Sequence, residues 1–578
     1  MGLMIVTVFC LPAGVLSSSV QVLKRQAERR TDGGMYIPLL RTPTTKKRRR
    51  DGQTGSIGLG DFQDVTYSVL MKIGGIETPV VVDTGSSDLW VVSDACTGNC
   101  SASAPLYPQA TFQSTGLDVQ LLYGDSSTGT YAYGPIGKDT IGLAGLTLPD
   151  QYFAAINSTN TSVLETGSAG IFGLGFPVYS VIWQQVFQKS EGSTGSKRFL
   201  HGQSIAPRYS LWQSIRNFSV RWPTEKNFLR TTFPSLSSLL APPKSSHSPR
   251  QSVSVIPELL ASYSSLGPFL SRLVAQDSLA APMFTVTLQR DSVDVGGNIG
   301  MLAIGELPEG VNNASLTWAQ VRGYPPSAGG LTPPADSPDE VYPLTWEIPL
   351  DDVYFDGNKL PRSTLSPSDI SLTALVDTGS SLIRGPSDII QSITNSLGSG
   401  GSFPCADPHS LAFQIGGTMF PIDPRDFVTQ AFQDSVDQCT ANLVSTDPPQ
   451  WGGGGFLYSW SLGDPFLKSV LTAFHYGNLS YPSHDPPRIG FLSTVPTTAA
   501  SDLQSAVAAA SADGGNFPLT SNPAPSGTFS AARTNSNGVP KASTTTRKSN
   551  GSLRTGHLLD RWVVVALSIG VVLSRELW

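Results

Sequence analysis

One pattern occurs twice in this chain and limits what it can fold into. Val80-Val81-Val82-Asp83-Thr84-Gly85-Ser86-Ser87 returns as Ala374-Leu375-Val376-Asp377-Thr378-Gly379-Ser380-Ser381. Each copy opens as a short continuous apolar run, the pattern of a strand buried on both faces. Each then runs directly into Asp-Thr-Gly. The strand holds its aspartate in a poorly solvated place, and the glycine lets the chain turn tightly just beyond it. A single Asp-x-Gly commonly marks a surface turn. Two copies with matching apolar approaches and matching Ser-Ser exits are a far stronger signal. The surrounding sequence reads as β-rich, with short Val, Ile, Phe and Tyr runs broken by Gly, Pro and Asp turns. Composition agrees: 57 Gly and 44 Pro among 578 residues, with 14% charged, exclude a coiled coil or helical bundle. At 39% hydrophobic the chain can bury a sizeable core.

Beyond the repeats the sequence resembles the pepsin-like aspartic proteases. Leu89-Trp90-Val91-Val92-Ser93 is similar to the family's continuation after the first aspartate. Tyr123-Gly124-Asp125, followed by Gly129-Thr130, resembles its flap hairpin. Gly170-Ile171-Phe172-Gly173-Leu174-Gly175 resembles the element backing the first aspartate. Ser461-Leu462-Gly463-Asp464-Pro465-Phe466-Leu467 resembles its second-lobe partner, with Ser461 where an apolar residue is usual, and Arg488-Ile489-Gly490-Phe491 resembles the closing strand. The likeness covers roughly residues 60–187 and 256–494 in order. It implies an all-β, bilobal fold with a cleft between an N-terminal lobe over 51–280 and a C-terminal lobe over 281–496. It further implies an aspartic endopeptidase acting on proteins or peptides in acid, as a monomer without a cofactor. Cys96–Cys100 and Cys405–Cys439 fall where the family places disulfides. The second would contribute roughly 3–4 kcal/mol by a chain-entropy argument.

The implied chemistry needs both carboxyls close together. They cannot both ionise at short range, so Asp83 and Asp377 share one proton. One activates a water and the other protonates the carbonyl oxygen. The resemblance implies that Ser86 and Ser380 bond the outer carboxylate oxygens, and that Thr84 and Thr378, beside Gly85 and Gly379, lock the two loops together. It has Tyr123 close over substrate with Trp90 bonding its hydroxyl. Without that context, Trp90 and Tyr123 read as ordinary core and hairpin aromatics. Asp125 carries two readings: a carboxylate facing a substrate lysine, as in several fungal relatives, or a solvated turn residue. Membrane-anchored members, the yapsins, prefer basic sites.

The ends carry other signals. Residues 1–19 read as a secretory signal peptide, or as a membrane anchor too short to span comfortably. Residues 20–50 read as a basic propeptide ending in Lys46-Lys47-Arg48-Arg49-Arg50. Residues 497–552 are rich in Ala, Ser, Thr and Pro, a composition expected to stay an unpacked linker. Residues 553–578, after a candidate attachment site at Asn550, read as a glycosylphosphatidylinositol (GPI) signal or a short single-pass anchor. Glycosylation triplets start at Asn157, Asn160, Asn313 and Asn478. Together these place the protein in the secretory pathway and at the cell surface, on membrane or wall, or secreted.

Residues 188–255 interrupt the pattern between a short helix expected over Tyr179–Phe187 and another expected over Pro257–Leu273, with 10 Lys/Arg against 2 Asp/Glu and no sustained period. A translated intron or gene-model error, a disordered or processed insertion, and a basic binding module remain open. The formal charge of −6 on its face excludes a nucleic-acid partner. It averages a basic front segment, this basic insert and a mildly basic tail with a body of 11 basic and 36 acidic residues. The histidines are scattered, and no His-Glu-x-x-His or Cys-x-x-Cys pair marks a metal site. Two rivals to the protease are an inactive wall-attached binding or adhesion protein with the same fold, and a soluble vacuolar protease.

Overall fold

The computed structural model describes residues 30–31, 34–35, 52–62, 66–97, 100, 104–124, 129–194, 256–288, 300–308, 310–451, 456–518 and 521–522. The signal peptide, nearly all of the basic segment, most of 188–255, Asp125, Asn550 and the terminal tail lie outside these residues.

The N-terminal lobe is built on a ten-stranded sheet. In its strand Thr66–Ile73 every second residue, Tyr67, Val69, Met71 and Ile73, is fully buried. That alternation fits a strand with one face on the core. Gly74 and Gly75, at φ of 55° and 89°, turn the chain into Ile76–Asp83, the strand of the first motif. The C-terminal lobe repeats the arrangement on a five-stranded sheet, flanked by a four-stranded sheet and a two-stranded hairpin. Between the lobes lies a six-stranded sheet. Gly55–Gly58, Met301–Ile304 and Met283–Thr287 form one half, and Val470–His475, Arg488–Ser493 and Thr317–Gln320 form the other. The architecture is the two-lobed, all-β one that the resemblance implies.

Each lobe presents its motif in the same way. In the first, Gly170–Gly173 runs parallel to the motif strand, pairing Ile171 with Val81 and Gly173 with Asp83. On its other side it runs antiparallel to Leu89–Val92, pairing Ile171 with Trp90. In the second, Trp460–Leu462 runs parallel to Thr373–Val376, pairing Ser461 with Leu375, and antiparallel to Ile383–Pro386, pairing Ser461 with Arg384.

Rings pack where the lobes meet. Phe176 lies 4.4 Å from Trp346, Phe284 stacks on Phe474 at 4.7 Å, and Tyr476 lies 4.9 Å from Trp346. The Trp346 indole N–H and the Tyr476 hydroxyl both donate to the Leu174 carbonyl, at 2.9 and 2.5 Å. Buried ring N–H and O–H groups need such partners. Both acceptor bonds fall on the residue whose own N–H donates to the Asp83 carbonyl at 2.8 Å.

Both expected disulfides, Cys96–Cys100 and Cys405–Cys439, are formed. The helix expected over Tyr179–Phe187 spans Val181–Thr194, reaching into the atypical segment. The one expected over Pro257–Leu273 is two helices, Ile256–Leu266 and Phe269–Ala275. Gly267-Pro268 divides them, because proline disfavours helix at the residue before it.

The chain past 497 departs from its composition. Ala499–Ala512 is a helix that buries Leu503 completely and Ala510 nearly so. Asp502 lies 3.4 Å from the buried Arg425, which is itself held by Asp423 at 2.7 Å. Past the helix, Asn516 donates to Asp434 at 2.7 Å and the Phe517 N–H donates to Gln430 at 2.8 Å. Ser521–Asn522 then pairs with Gly60–Phe62 of the N-terminal lobe. A stretch poor in large apolar residues packs here because alanines let the helix approach closely, while one leucine and one phenylalanine supply the anchors.

Candidate active site

Both motif strands deliver their aspartates to the junction of the lobes. Asp83 ends Ile76–Asp83 and is 5% exposed; Asp377 directly follows Thr373–Val376 and is half-buried. The two side chains hydrogen-bond one another. A Cβ built on Gly85 would lie 2.5 Å from an Asp377 oxygen, and one on Gly379 2.4 Å from an Asp83 oxygen. Each glycine is therefore required by the carboxyl of the opposite lobe. That contact is invisible from within either loop.

Thr84 and Thr378 exchange bonds across the junction. The Thr84 N–H donates to the Thr378 hydroxyl and the Thr378 N–H to the Thr84 hydroxyl, both at 3.0 Å. The hydroxyls donate onward to the carbonyls of Val376 and Val82, at 2.8 and 2.7 Å. Four buried bonds of about 1 kcal/mol each close this lock. Removing one hydroxyl leaves buried groups unpaired at about 1–3 kcal/mol each.

The first carboxyl is the better solvated by donors. Gly85 N–H donates to Asp83 Oδ1 at 2.8 Å, and the Ser86 hydroxyl makes a short bond to Oδ2. Trp90 Nε1–H donates to the Tyr123 hydroxyl at 2.6 Å, and that hydroxyl also reaches Ser86. Indole nitrogen can only donate, and the Ser86 proton is committed to Asp83. The Tyr123 proton therefore points to Ser86, giving a relay from Trp90 through Tyr123 and Ser86 to Asp83.

Ser380 does not mirror Ser86. Its hydroxyl donates to the Leu382 carbonyl at 3.0 Å, not to Asp377. A serine has one proton to give, and the turn of the second loop offers it a local carbonyl. Asp377 Oδ1 receives the Gly379 N–H at 2.9 Å. Burial raises the pKa of Asp83, against which Ser86, Gly85 and Asp377 act. Burial and then the Asp83 charge push Asp377 up to about 7, with Arg384 acting against them. Burial also pushes the Tyr123 phenol well above its ordinary range, keeping it a neutral donor.

Sequence reasoning missed several neighbours. Asp88, 6% exposed, accepts from the Ser180 hydroxyl at 2.5 Å and from the N–H groups of Val181 and Ile182 at 2.9 and 3.2 Å. It caps the helix that leads away from the site, and burial raises its pKa to about 6. Tyr179 and Tyr458 reach the pair from opposite lobes and are joined through Phe456, at 5.6 and 5.0 Å between rings. An acid five residues past the first motif aspartate, without a counterpart past the second, was the available signal for Asp88. The tyrosines gave none: Tyr179 ends the short helical turn Pro177–Tyr179, and Tyr458 lies between strands.

Asn160 and Asn313 are exposed, while Asn157 and Asn478 are half-buried. Among the described residues no group of three or more His, Cys, Asp or Glu converges to hold a metal, and no helix is long and apolar enough to cross a membrane.

Comparison with known proteins matches residues 66–197 and 258–481 to the eukaryotic aspartyl protease family. The match breaks over the segment that composition sets apart. The chain is 23% identical to major aspartyl peptidase 1 of Cryptococcus neoformans var. grubii over 78% of this chain and 73% of that protein. It is 25% identical to pepsin A of Sus scrofa, over 73% and 82%, and 23% identical to cathepsin E-A of Xenopus laevis, over 74% and 81%. With its paired carboxyls and its strand architecture, this chain belongs to the eukaryotic aspartyl protease family and is an aspartic-type endopeptidase.

Proposed function

We propose that Asp83 and Asp377 are the catalytic pair of a secreted endopeptidase that works in acid. The observation that carries this is the direct hydrogen bond between the two carboxyls, each backed by the other lobe's glycine. Asp83 receives the Ser86, Gly85 and Asp377 donors and holds the charge; Asp377 holds the shared proton. Asp83 takes a proton from water as its oxygen attacks the peptide carbonyl carbon. Asp377 gives its proton to the carbonyl oxygen, so the tetrahedral intermediate is neutral. The carbon–nitrogen bond then breaks. Asp83 returns its proton to the leaving nitrogen, and Asp377 recovers one from an intermediate hydroxyl. Tyr123 closes over the substrate.

The activity is tested with purified mature protein and a peptide substrate in acid. Cleavage blocked by pepstatin, and lowered about a thousandfold or more in Asp83→Asn and in Asp377→Asn, is expected. Either variant keeping near-normal turnover overturns the assignment.

The two disulfides suit an oxidising secretory route. The signal-like start, basic prosegment and short apolar end support a zymogen that becomes GPI-anchored at the cell surface. Phospholipase treatment of cell membranes should release the protein; retention speaks against that anchor. Asp125 as a lysine-facing residue is tested by Asp125→Ser, which should lower cleavage of Lys-containing peptides relative to neutral ones.

A further inference from the structure

The five-stranded sheet carries one row of directly opposed residues: Glu347, Leu375, Ser461, Arg384 and Val444. Residues opposed across strands project from the same face. The other face is fixed as the core side. Ile383 is fully buried, and a Cβ on Gly385 would lie 2.5 Å from the Trp460 ring, which packs on Phe413 at 5.4 Å. Arg384 therefore projects away from the core, on the face that also carries Asp377 two residues beyond Leu375.

The corresponding row of the first lobe is Val81, Ile171, Trp90 and Ala154, all buried in one apolar cluster that Tyr123 packs against. Arg384 thus stands where Trp90 stands, and Ser461 where Ile171 stands. The two departures belong together. A small hydroxylated residue leaves room on this face for a long charged one, whereas an isoleucine would fill it. Arg384 is half-buried, and its charge acts on Asp377 and on Tyr458.

The other charged groups of this neighbourhood are Glu347, Asp447 and Asp83. Glu347 is held by Arg322 at 3.1 Å, Thr373 at 2.5 Å and the Tyr324 hydroxyl. Asp447 follows Leu443–Thr446, the strand paired with that of Arg384, and acts on Tyr458. Asp83 faces Asp377 from the other lobe. A guanidinium has five donors in a planar fork, so a partner within the fold does not exhaust it.

We propose that Arg384 is a specificity-determining residue, which favours a substrate side chain bearing a carboxylate or amide next to Asp377 and disfavours lysine and arginine there. This rests on the reading of Asp83 and Asp377 as the catalytic pair.

The test uses the mature enzyme and peptides that differ at one position at a time on either side of the cleaved bond, carrying Glu, Gln or Lys. The wild type should cleave the Glu peptide about tenfold faster than the Lys peptide, in kcat/KM, at one of these positions. Arg384→Met should bring that ratio to within about twofold, and Arg384→Lys should keep most of it. Arg384→Met should also move the basic limb of the pH profile upward on the Gln peptide, because Asp377 loses a nearby cation that favours its charged form. A wild type without a Glu-over-Lys preference at any position overturns the proposal, and so does an Arg384→Met enzyme that keeps the preference. If Arg384→Met does not fold, Ser461→Ile, which fills the space the arginine occupies, should lower the same ratio. Failure of the wild type to cleave any of the peptides would sink the underlying assignment of the catalytic pair instead.

Discussion

The loops carrying Asp83 and Asp377 share Asp-Thr-Gly-Ser-Ser and diverge at the sixth residue. One continues Asp88-Leu89-Trp90 and the other Leu382-Ile383-Arg384. Inside the shared five, the threonines and glycines behave as mirror images across the junction, whereas the serines do not. Ser86 is drawn to Asp83 beneath the Tyr123 hydroxyl, and Ser380 turns to the Leu382 carbonyl. Beyond the five, the first loop is tied to a helix by a buried acid and to the hairpin by an indole. The second presents an arginine. Groups that touch across the junction are constrained equally by both lobes. Groups that face outward are constrained by whatever their own lobe places next to them. One carboxyl is thereby provided with a donor that the other lacks.

The largest test of the mirror-image part is Thr84→Val against Thr378→Val. Each removes one donor and one acceptor of the lock, so each should cost about 4 kcal/mol, read from denaturant unfolding. A difference of more than about 2 kcal/mol between them would break the symmetry. Asp88, by contrast, belongs to the first lobe alone. Its folded pKa of about 6 lies above the ordinary 3.8, so the folded state binds its proton more tightly. That contribution is fully present below about pH 4 and is lost as the pH rises through about 6. It amounts to about 3 kcal/mol between those limits. Asp88→Asn should flatten this part of the stability profile in pH-dependent thermal unfolding, and an unchanged slope would remove Asp88 from the account.

Leu503→Ala probes a feature of the second lobe, the helix docked near Arg425. It should cost about 2–3 kcal/mol and raise protease sensitivity around Gln430 and Asp434. A chain ending at 497 that unfolds at the same temperature as one ending at 523 would show that the helix adds nothing. The smallest contrast is between the serines. Ser86→Ala should lower kcat/KM about tenfold and shift the acid limb of the pH profile upward, since Asp83 loses a donor to its charged form. Ser380→Ala should leave that limb in place and change stability by less than about 1 kcal/mol. Equal acid-limb shifts would show that the loops are alike after all.

Much of this was legible beforehand because the motif strands are buried on both faces and so read as apolar runs. The same holds for the backing elements around Ile171 and Leu462; the flap strand, largely exposed, was legible only through the resemblance of Tyr123-Gly124-Asp125. Ser380 was misread because its sequence is identical to that of Ser86, while the direction of a hydroxyl depends on which acceptor is nearest in space. Residues 499–517 were misread because low mean apolarity forbids an independent core, but not docking on one that already exists. Tyr179 ends a single short helical turn, and its ring meets Phe456 of the opposite lobe, a contact that nothing near it in the chain announces.

The sequence by itself determined two buried strands ending on acids, the tight turns after them, and the family to which they belong. All of these depend on residues close together along the chain. Only the tertiary structure decided that each glycine makes room for the other lobe's carboxyl, that Asp83 gathers more donors than Asp377, and that Arg384 occupies the place of Trp90. Those outcomes depend on groups far apart in the chain meeting in a poorly solvated junction, where one hydrogen bond more or less shifts a charge. Periodicity along a strand carries no record of such a meeting.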